Sequence, residues 1–271
     1  MKNRLWFGGA VLLMATSPVA EAQSILRRTD ANAASPIAAV GVCSDLDKWV
    51  GCAPTVGLVV RDAKGETIKL DGWDPLSVLE QDGKNFMIRN YSFANDVFGI
   101  TLTLMSNPDP FVQYIVGGVN NTNGPLSFLF TFTSPYIGGA YGSLRSTHSS
   151  SHTEGNGKTV IPDASETHIH RPFVDGLDVV GAFIAPSCVM AIAGSGVCNY
   201  ATITLPYVTA ASGSFGVDVG WTMPADAQFA LWSANGRVTL MDPVPEPSTV
   251  LLFAAGLFVM GIVVIQRRRT V

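Results

Sequence analysis

Alternation with a period of two residues governs the middle of this chain. In Val97-Phe98-Gly99-Ile100-Thr101-Leu102-Thr103-Leu104 the large apolar residues Phe98, Ile100, Leu102 and Leu104 recur at every second position, and Phe128, Phe130 and Phe132 repeat the pattern. Successive side chains of an extended strand point to opposite faces, so this spacing predicts strands that turn one face to a core. Further strands are expected at Val56 to Val60, Thr67 to Leu70, Phe86 to Tyr91, Val179 to Ile184, Ala201 to Leu205, Ser214 to Thr222, Gln228 to Trp232 and Arg237 to Met241, with Gly, Pro, Asp or Asn in most gaps. Between Val112-Gln113-Tyr114-Ile115-Val116 and Leu126 to Phe132 lies Asn120-Asn121-Thr122-Asn123-Gly124-Pro125, a cluster of turn formers that predicts a hairpin. No amphipathic helix of three turns shows in the body. Many short strands with frequent turns predict an all-β chain built as a two-layer antiparallel β-sandwich, jelly-roll or Ig-like.

The two ends read differently. Lys2 and Arg4, the apolar stretch Leu5 to Ala15 and the Ala20-Glu21-Ala22 pattern read as a secretory signal peptide over residues 1–22, with the mature chain starting at Gln23. Residues 244–271 hold Pro245-Glu246-Pro247, then an apolar run from Val250 to Ile265, then Arg267, Arg268 and Arg269. A helix over 250–265 spans roughly 24 Å at about 1.5 Å per residue, short of a hydrocarbon core of about 30 Å. It is a marginal transmembrane anchor, and the arginines retain its end in the cytoplasm. Pro245 and Pro247 resist helix, which displays Glu246 outside the bilayer. The orientation of both ends places the body, residues 23–243, outside the inner membrane.

This tail resembles the PEP-CTERM sorting signal of Gram-negative bacteria that make exopolysaccharide. The resemblance implies an exosortase as processing partner, with Pro245, Glu246, Pro247, Arg267, Arg268 and Arg269 as the sorting motif and the catalytic residues in that other protein. It also implies a transient hold in the inner membrane, followed by the cell surface or the extracellular matrix of the biofilm. The segment Asn107-Pro108-Asp109-Pro110-Phe111 onward to Phe128 is similar to one that recurs in PEP-CTERM body domains, which implies a β-sandwich and no known activity.

Charge narrows the partners. The chain has 17 basic and 21 acidic residues; setting aside Lys2, Arg4, the three terminal arginines, Glu21 and Glu246 leaves the body at net −7. Such a body has no electrostatic affinity for phosphate backbones, so nucleic acid is not an expected partner. The four cysteines form two local pairs, Cys43 with Cys52 and Cys188 with Cys198, and in an oxidising compartment such spacing favours two disulfides, although four cysteines allow three connectivities. The gaps are too long for zinc knuckles.

Chemistry is sparse. His148, His152, His168 and His170 cluster within one segment. On a strand His168 and His170 share a face, and across a hairpin His148 and His152 could join them to offer imidazoles to Zn or Cu. The opposing reading makes Thr147 to Gly157 an exposed loop with solvated histidines. Gly155-Asn156-Gly157-Lys158-Thr159 lacks the first glycine of a phosphate loop, and H-E-x-x-H, G-x-S-x-G and G-x-G-x-x-G are absent, so no enzyme, cofactor or metal is expected. Trp73, in Asp71-Gly72-Trp73-Asp74-Pro75, is the candidate for stacking a sugar, against a role in packing its loop. The leading expectation is an exported, non-enzymatic protein with a structural or adhesive role in the exopolysaccharide matrix. A carbohydrate-binding β-sandwich module is the alternative, and a polysaccharide-active enzyme the third reading.

Overall fold

The computed structural model describes residues 25–27, 52–108, 110–137, 141–153, 169–184, 195–209, 212–223 and 231–241, with the backbone alone at 25–27, 151–153, 195–198 and 231–235. The fold is all-β. Among the described residues fourteen strands run β1 (Ile25–Arg27), β2 (Thr55–Arg61), β3 (Glu80–Asp82), β4 (Asn85–Ala94), β5 (Phe98–Asn107), β6 (Phe111–Asn120), β7 (Leu126–Ile137), β8 (Ser143–Thr153), β9 (His170–Val174), β10 (Leu177–Val179), β11 (Ser195–Asn199), β12 (Ile203–Pro206), β13 (Ser212–Met223) and β14 (Leu231–Met241). They form two antiparallel sheets. One has six strands in the order β1-β10-β9-β13-β7-β2, and the other eight, in the order β11-β8-β14-β6-β5-β4-β3 with β12 also beside β8.

The period-two segments form the core as expected. Phe98, Ile100, Leu102 and Leu104 of β5 are buried, as are Phe128, Phe130 and Phe132 of β7, and burial of each such side chain stabilises the fold by about 1.5–3 kcal/mol. Phe128 and Phe130 stack on Trp221 of β13 within their own sheet, at 5.2 and 5.6 Å between centroids. Across the sandwich Phe98 meets Phe128 edge-on at 5.6 Å, and Tyr114 stacks on Phe132 at 5.0 Å. These contacts join the layers.

The expected hairpin between β6 and β7 does not exist. β6 pairs with β5 and β14, while β7 pairs with β13 and β2, so the two strands lie in different sheets. The turn is therefore an arch. Asn120 donates to the carbonyls of Gly124 and Met223 and accepts from the Thr122 amide and hydroxyl, which ties the arch to the end of β13. The cause lies in the burial: both strands present a wide apolar face, and facing each other across the interior buries both, whereas a flat hairpin would bury neither against the other.

Other boundaries also shift. Thr67 makes only an isolated bridge to Arg61, so Thr67 to Leu70 is not a strand. Val179 to Ile184 is the end of β10 followed by a 3-10 turn over Val180–Ala182. Where the sequence predicts separate strands at Gln228 to Trp232 and Arg237 to Met241, β14 runs unbroken from Leu231, because Gly236 between them is held in register on both sides. β8 replaces much of the loop expected over Thr147 to Gly157; its inward positions Ser146, His148 and Ser150 are polar yet buried. Its outer edge is closed by two short strands end to end, β12 against residues 143–146 and β11 against 149–153. Asp175 and Gly176, both at positive φ, close β9 onto β10, the backbone that a two-residue turn between twisted strands demands.

Among the described residues no helix is long and apolar enough to cross a membrane. The expected signal peptide, the helix over 250–265 and the sorting residues Pro245, Glu246, Pro247, Arg267, Arg268 and Arg269 lie outside the described residues.

Candidate functional site

Two places gather polar chemistry, one inside the sandwich and one on its outer surface. The first is built on a single cross-strand row of the eight-stranded sheet, in which Tyr114 of β6 and His148 of β8 both stand opposite Gly236 of β14. Glycine is required there, since a Cβ at position 236 would overlap the Tyr114 hydroxyl. Across that gap Tyr114 Oη lies 2.9 Å from His148 Nδ1 and 2.7 Å from His170 Nδ1, and His170 Nε2 lies 2.7 Å from Ser146 Oγ. His170 belongs to β9, so the chain Ser146–His170–Tyr114–His148 stitches one sheet to the other by hydrogen bonds.

Burial decides the charge state of this cluster. Tyr114 and His170 are 0% exposed and His148 is 4% exposed. Desolvation pushes His148 down to about 3 and holds His170 well below the ordinary imidazole value, with His148 as a second, repulsive cause. The same burial raises the Tyr114 phenol well above its usual value, so all three rings are neutral at pH 7. One phenolic proton cannot serve two bare nitrogens. In the cheaper arrangement Tyr114 donates to His170 Nδ1, His148 Nδ1–H donates to Tyr114, and His170 Nε2–H donates to Ser146. His148 Nε2, which has no hydrogen-bond partner among the described residues, is then a bare acceptor, a smaller penalty than a stranded N–H.

Of the four histidines the sequence singles out, the structure joins His148 and His170, with rings 5.3 Å apart. His152 is placed by its backbone only, opposite Trp232, and His168 lies outside the described residues. Three of the four nitrogens of the joined pair are committed to Tyr114 and Ser146. Among the described residues no group of three His, Cys, Asp or Glu is arranged to hold a metal ion. Trp73 is half-buried, with its ring edge-on to Tyr91, Phe93 and Phe130 at 5.3, 5.8 and 6.1 Å. These contacts fasten its loop to the core, and the Asp74 amide donates to the Tyr91 hydroxyl at 3.0 Å beside it. Cys52 is buried and disulfide-bonded. Cys43 and Cys188 lie outside the described residues and Cys198 is placed by its backbone only, so the partners that would define the two expected local pairs lie outside the described side chains.

The second place is a shallow groove of about 300 Å³ on the outer face of the eight-stranded sheet, lined by Arg145, Thr147, Arg237, Thr239 and Met241. Thr147 stands opposite Arg237 and Arg145 opposite Thr239 on the paired strands β8 and β14. The two arginines are thus diagonal neighbours, about 7–8 Å apart at the backbone. Arg237 lies over the Phe111 ring with its guanidinium carbon 4.1 Å from the centroid, and its Nε donates to Thr239 Oγ1 at 3.1 Å. Ring and hydroxyl fix the guanidinium plane, and among the described residues no hydrogen bond engages its terminal nitrogens. Sequence reasoning passed over this groove. The signal was present: between Val97 and Thr153 the only charged residues apart from histidine are Asp109 and Arg145.

Beyond the described strands, the model of the PEP-CTERM protein-sorting motif matches residues 243–269. The chain carries a PEP-CTERM sorting motif. The match covers Pro245-Glu246-Pro247, the apolar run and the three arginines, and it supports export with sorting by an exosortase. No curated protein matches this PEP-CTERM chain. Among solved structures it is similar to a chain of the infectious bursal disease virus Gx strain at 12% identity and a TM-score of 0.20, covering 76% of this chain and 57% of that one. It is also similar to an isomalto-dextranase of Arthrobacter globiformis T6 complexed with panose, at 10% identity and a TM-score of 0.18, covering 69% of this chain and 32% of that one. Neither likeness is close enough to bear on the function of the PEP-CTERM chain.

Proposed function

We propose that this PEP-CTERM chain is a non-enzymatic exported protein, processed by an exosortase and delivered to the cell surface or extracellular polysaccharide matrix, where its β-sandwich is structural or adhesive. The observation that carries the reading is the sorting motif over residues 243–269. In this account residues 1–22 are removed as a signal peptide, residues 23–243 form the working body, and the tail holds the chain in the inner membrane until it is cut. Local disulfides, Cys43 with Cys52 and Cys188 with Cys198, brace the exported body. The buried histidines support a structural role, since substrate has no route to side chains with 0% and 4% exposure.

A second reading, a glycan-binding sandwich, is favoured by the open groove between β8 and β14. Sorting is tested by Glu246→Gln and by deletion of Arg267 to Arg269, followed by fractionation and carboxyl-terminal mass spectrometry. Both variants should accumulate as an unprocessed membrane species. Normal processing of both would remove the exosortase from the account.

A further inference from the structure

The eight-stranded sheet is almost free of negative charge, although the body as a whole is acidic. Strands β4, β5, β6, β8, β11, β12 and β14 contain no Asp or Glu, and the sheet's carboxylates are confined to the short edge strand β3. Three arginines lie on those seven strands. Arg89 pairs with Glu80 of β3 at 3.2 Å, and in the opposite sheet Arg171 of β9 pairs with Asp218 at 3.1 Å. Within the eight-stranded sheet Arg145 and Arg237 differ from Arg89: both are exposed, they meet in one groove, and among the described residues no carboxylate pairs with either.

We propose that the groove formed by Arg145, Thr147, Arg237 and Thr239 binds the carboxylates of an acidic polysaccharide, a polyuronate. Three features select that occupant. Two guanidinia on adjacent strands, one clamped by Phe111 and Thr239, match planar carboxylates, which they can grip through paired N–H groups. Thr147 Oγ1, which donates to the Arg237 carbonyl, can still accept, Thr239 Oγ1, which accepts from Arg237 Nε, can still donate, and the Met241 side chain adds an apolar contact, the two needs of a sugar ring. The face is also continuous: Gln113 and Ile115 on β6 and Thr103 and Met105 on β5 extend the outward side of the sheet beyond the groove, so a chain of linked sugars can lie along it where a compact anion would use only the arginines.

This inference rests on the proposed delivery to a polysaccharide matrix, but its test does not pass through sorting. The full chain, purified in mild detergent, is titrated calorimetrically with sodium polygalacturonate, with the same polymer after reduction of its carboxyl groups to alcohols, and with dextran sulfate. Saturable binding to polygalacturonate is expected, weakened at least tenfold in the Arg145→Gln/Arg237→Gln double variant, a loss of about 1.4 kcal/mol or more. Arg89→Gln, at an ion pair outside the groove, should bind as the unaltered chain does. Arg145→Lys/Arg237→Lys should recover part of the affinity, since charge returns without the fork. The carboxyl-reduced polymer should not bind. Absence of binding to polygalacturonate, equal binding of the reduced polymer, equal or tighter binding of dextran sulfate, or unchanged affinity in the double variant would each overturn the assignment. All of these substitutions are on the exposed face of formed strands, so near-ultraviolet dichroism matching the unaltered chain should accompany every one.

Discussion

Lowering the pH from 7 to about 4.5 asks the sandwich to accept protons at His148 and His170, whose hydrogen-bond partners are the neutral Tyr114 and Ser146. His148 and His170 are neutral in the fold, with His148 held down at about 3 and His170 well below 6.5 by burial, whereas an unfolded histidine titrates near 6.5. Between those values the unfolded chain binds more protons than the folded one. Stability contributed by the pair is therefore complete above about pH 6.5 and is lost as the pH falls toward the folded values. His148 contributes a slope of about 1.4 kcal/mol per pH unit between 6.5 and its folded value, so at about pH 4.5 it costs roughly 3 kcal/mol, a large share of an ordinary domain's total stability, and His170 adds in the same direction. Urea unfolding of the full chain in detergent, at half-unit steps of pH, measures this directly. His148→Gln removes one titrating group without adding charge, and the difference between its stability–pH curve and that of the unaltered chain should steepen below about pH 6.5 at about 1.4 kcal/mol per unit. Other titrating groups are common to both proteins and cancel. Parallel curves from pH 7 to 4.5 would show that His148 does not sit neutral and buried in the core, and the reasoning would fail.

Tyr114→Phe keeps the stack on Phe132 but strips the hydroxyl that serves both imidazoles; two stranded nitrogens at about 1–3 kcal/mol each predict a loss of roughly 2–6 kcal/mol, read from the urea midpoint. Gly236→Ala should cost about 1–3 kcal/mol, because the new methyl group must displace the Tyr114 ring. Paired with Tyr114→Phe, Gly236→Ala should become milder, a coupling that a double-mutant cycle detects; strict additivity would separate the glycine from the network.

Legibility followed the chemistry of the inward faces. β5 and β7 could be read from sequence because their buried positions are Phe, Ile and Leu, and in β13 a similar alternation of Phe215, Val217, Val219 and Trp221 marks the face that reaches the core. β8 could not, since Leu144, Ser146, His148 and Ser150 occupy its inward side, and a hydroxyl-rich strand has the composition of a loop. The arch between β6 and β7 escaped for a different reason. Turn residues report that the chain reverses, and only the partners β5, β14, β13 and β2, remote in sequence, decide whether it returns in the same sheet. His148 and His170 stood out as residue types, but their environment depends on Tyr114 and Gly236, which no local pattern connects to them. Arg145 and Arg237 became neighbours only through the register of β8 on β14.

The first strand has a consequence for the order in which this protein can be completed. Ile25, Leu26 and Arg27 pair with Val179, Asp178 and Leu177, placing the innermost of these partners 150 positions apart. A chain made from its amino end therefore has β1 in place with nowhere to dock until about 150 further residues have followed. Closing so long a span is entropically costly and slow compared with local pairing. Until β1 docks, the six-stranded layer ends at β10, whose outer edge stays open to any other strand that reaches it first.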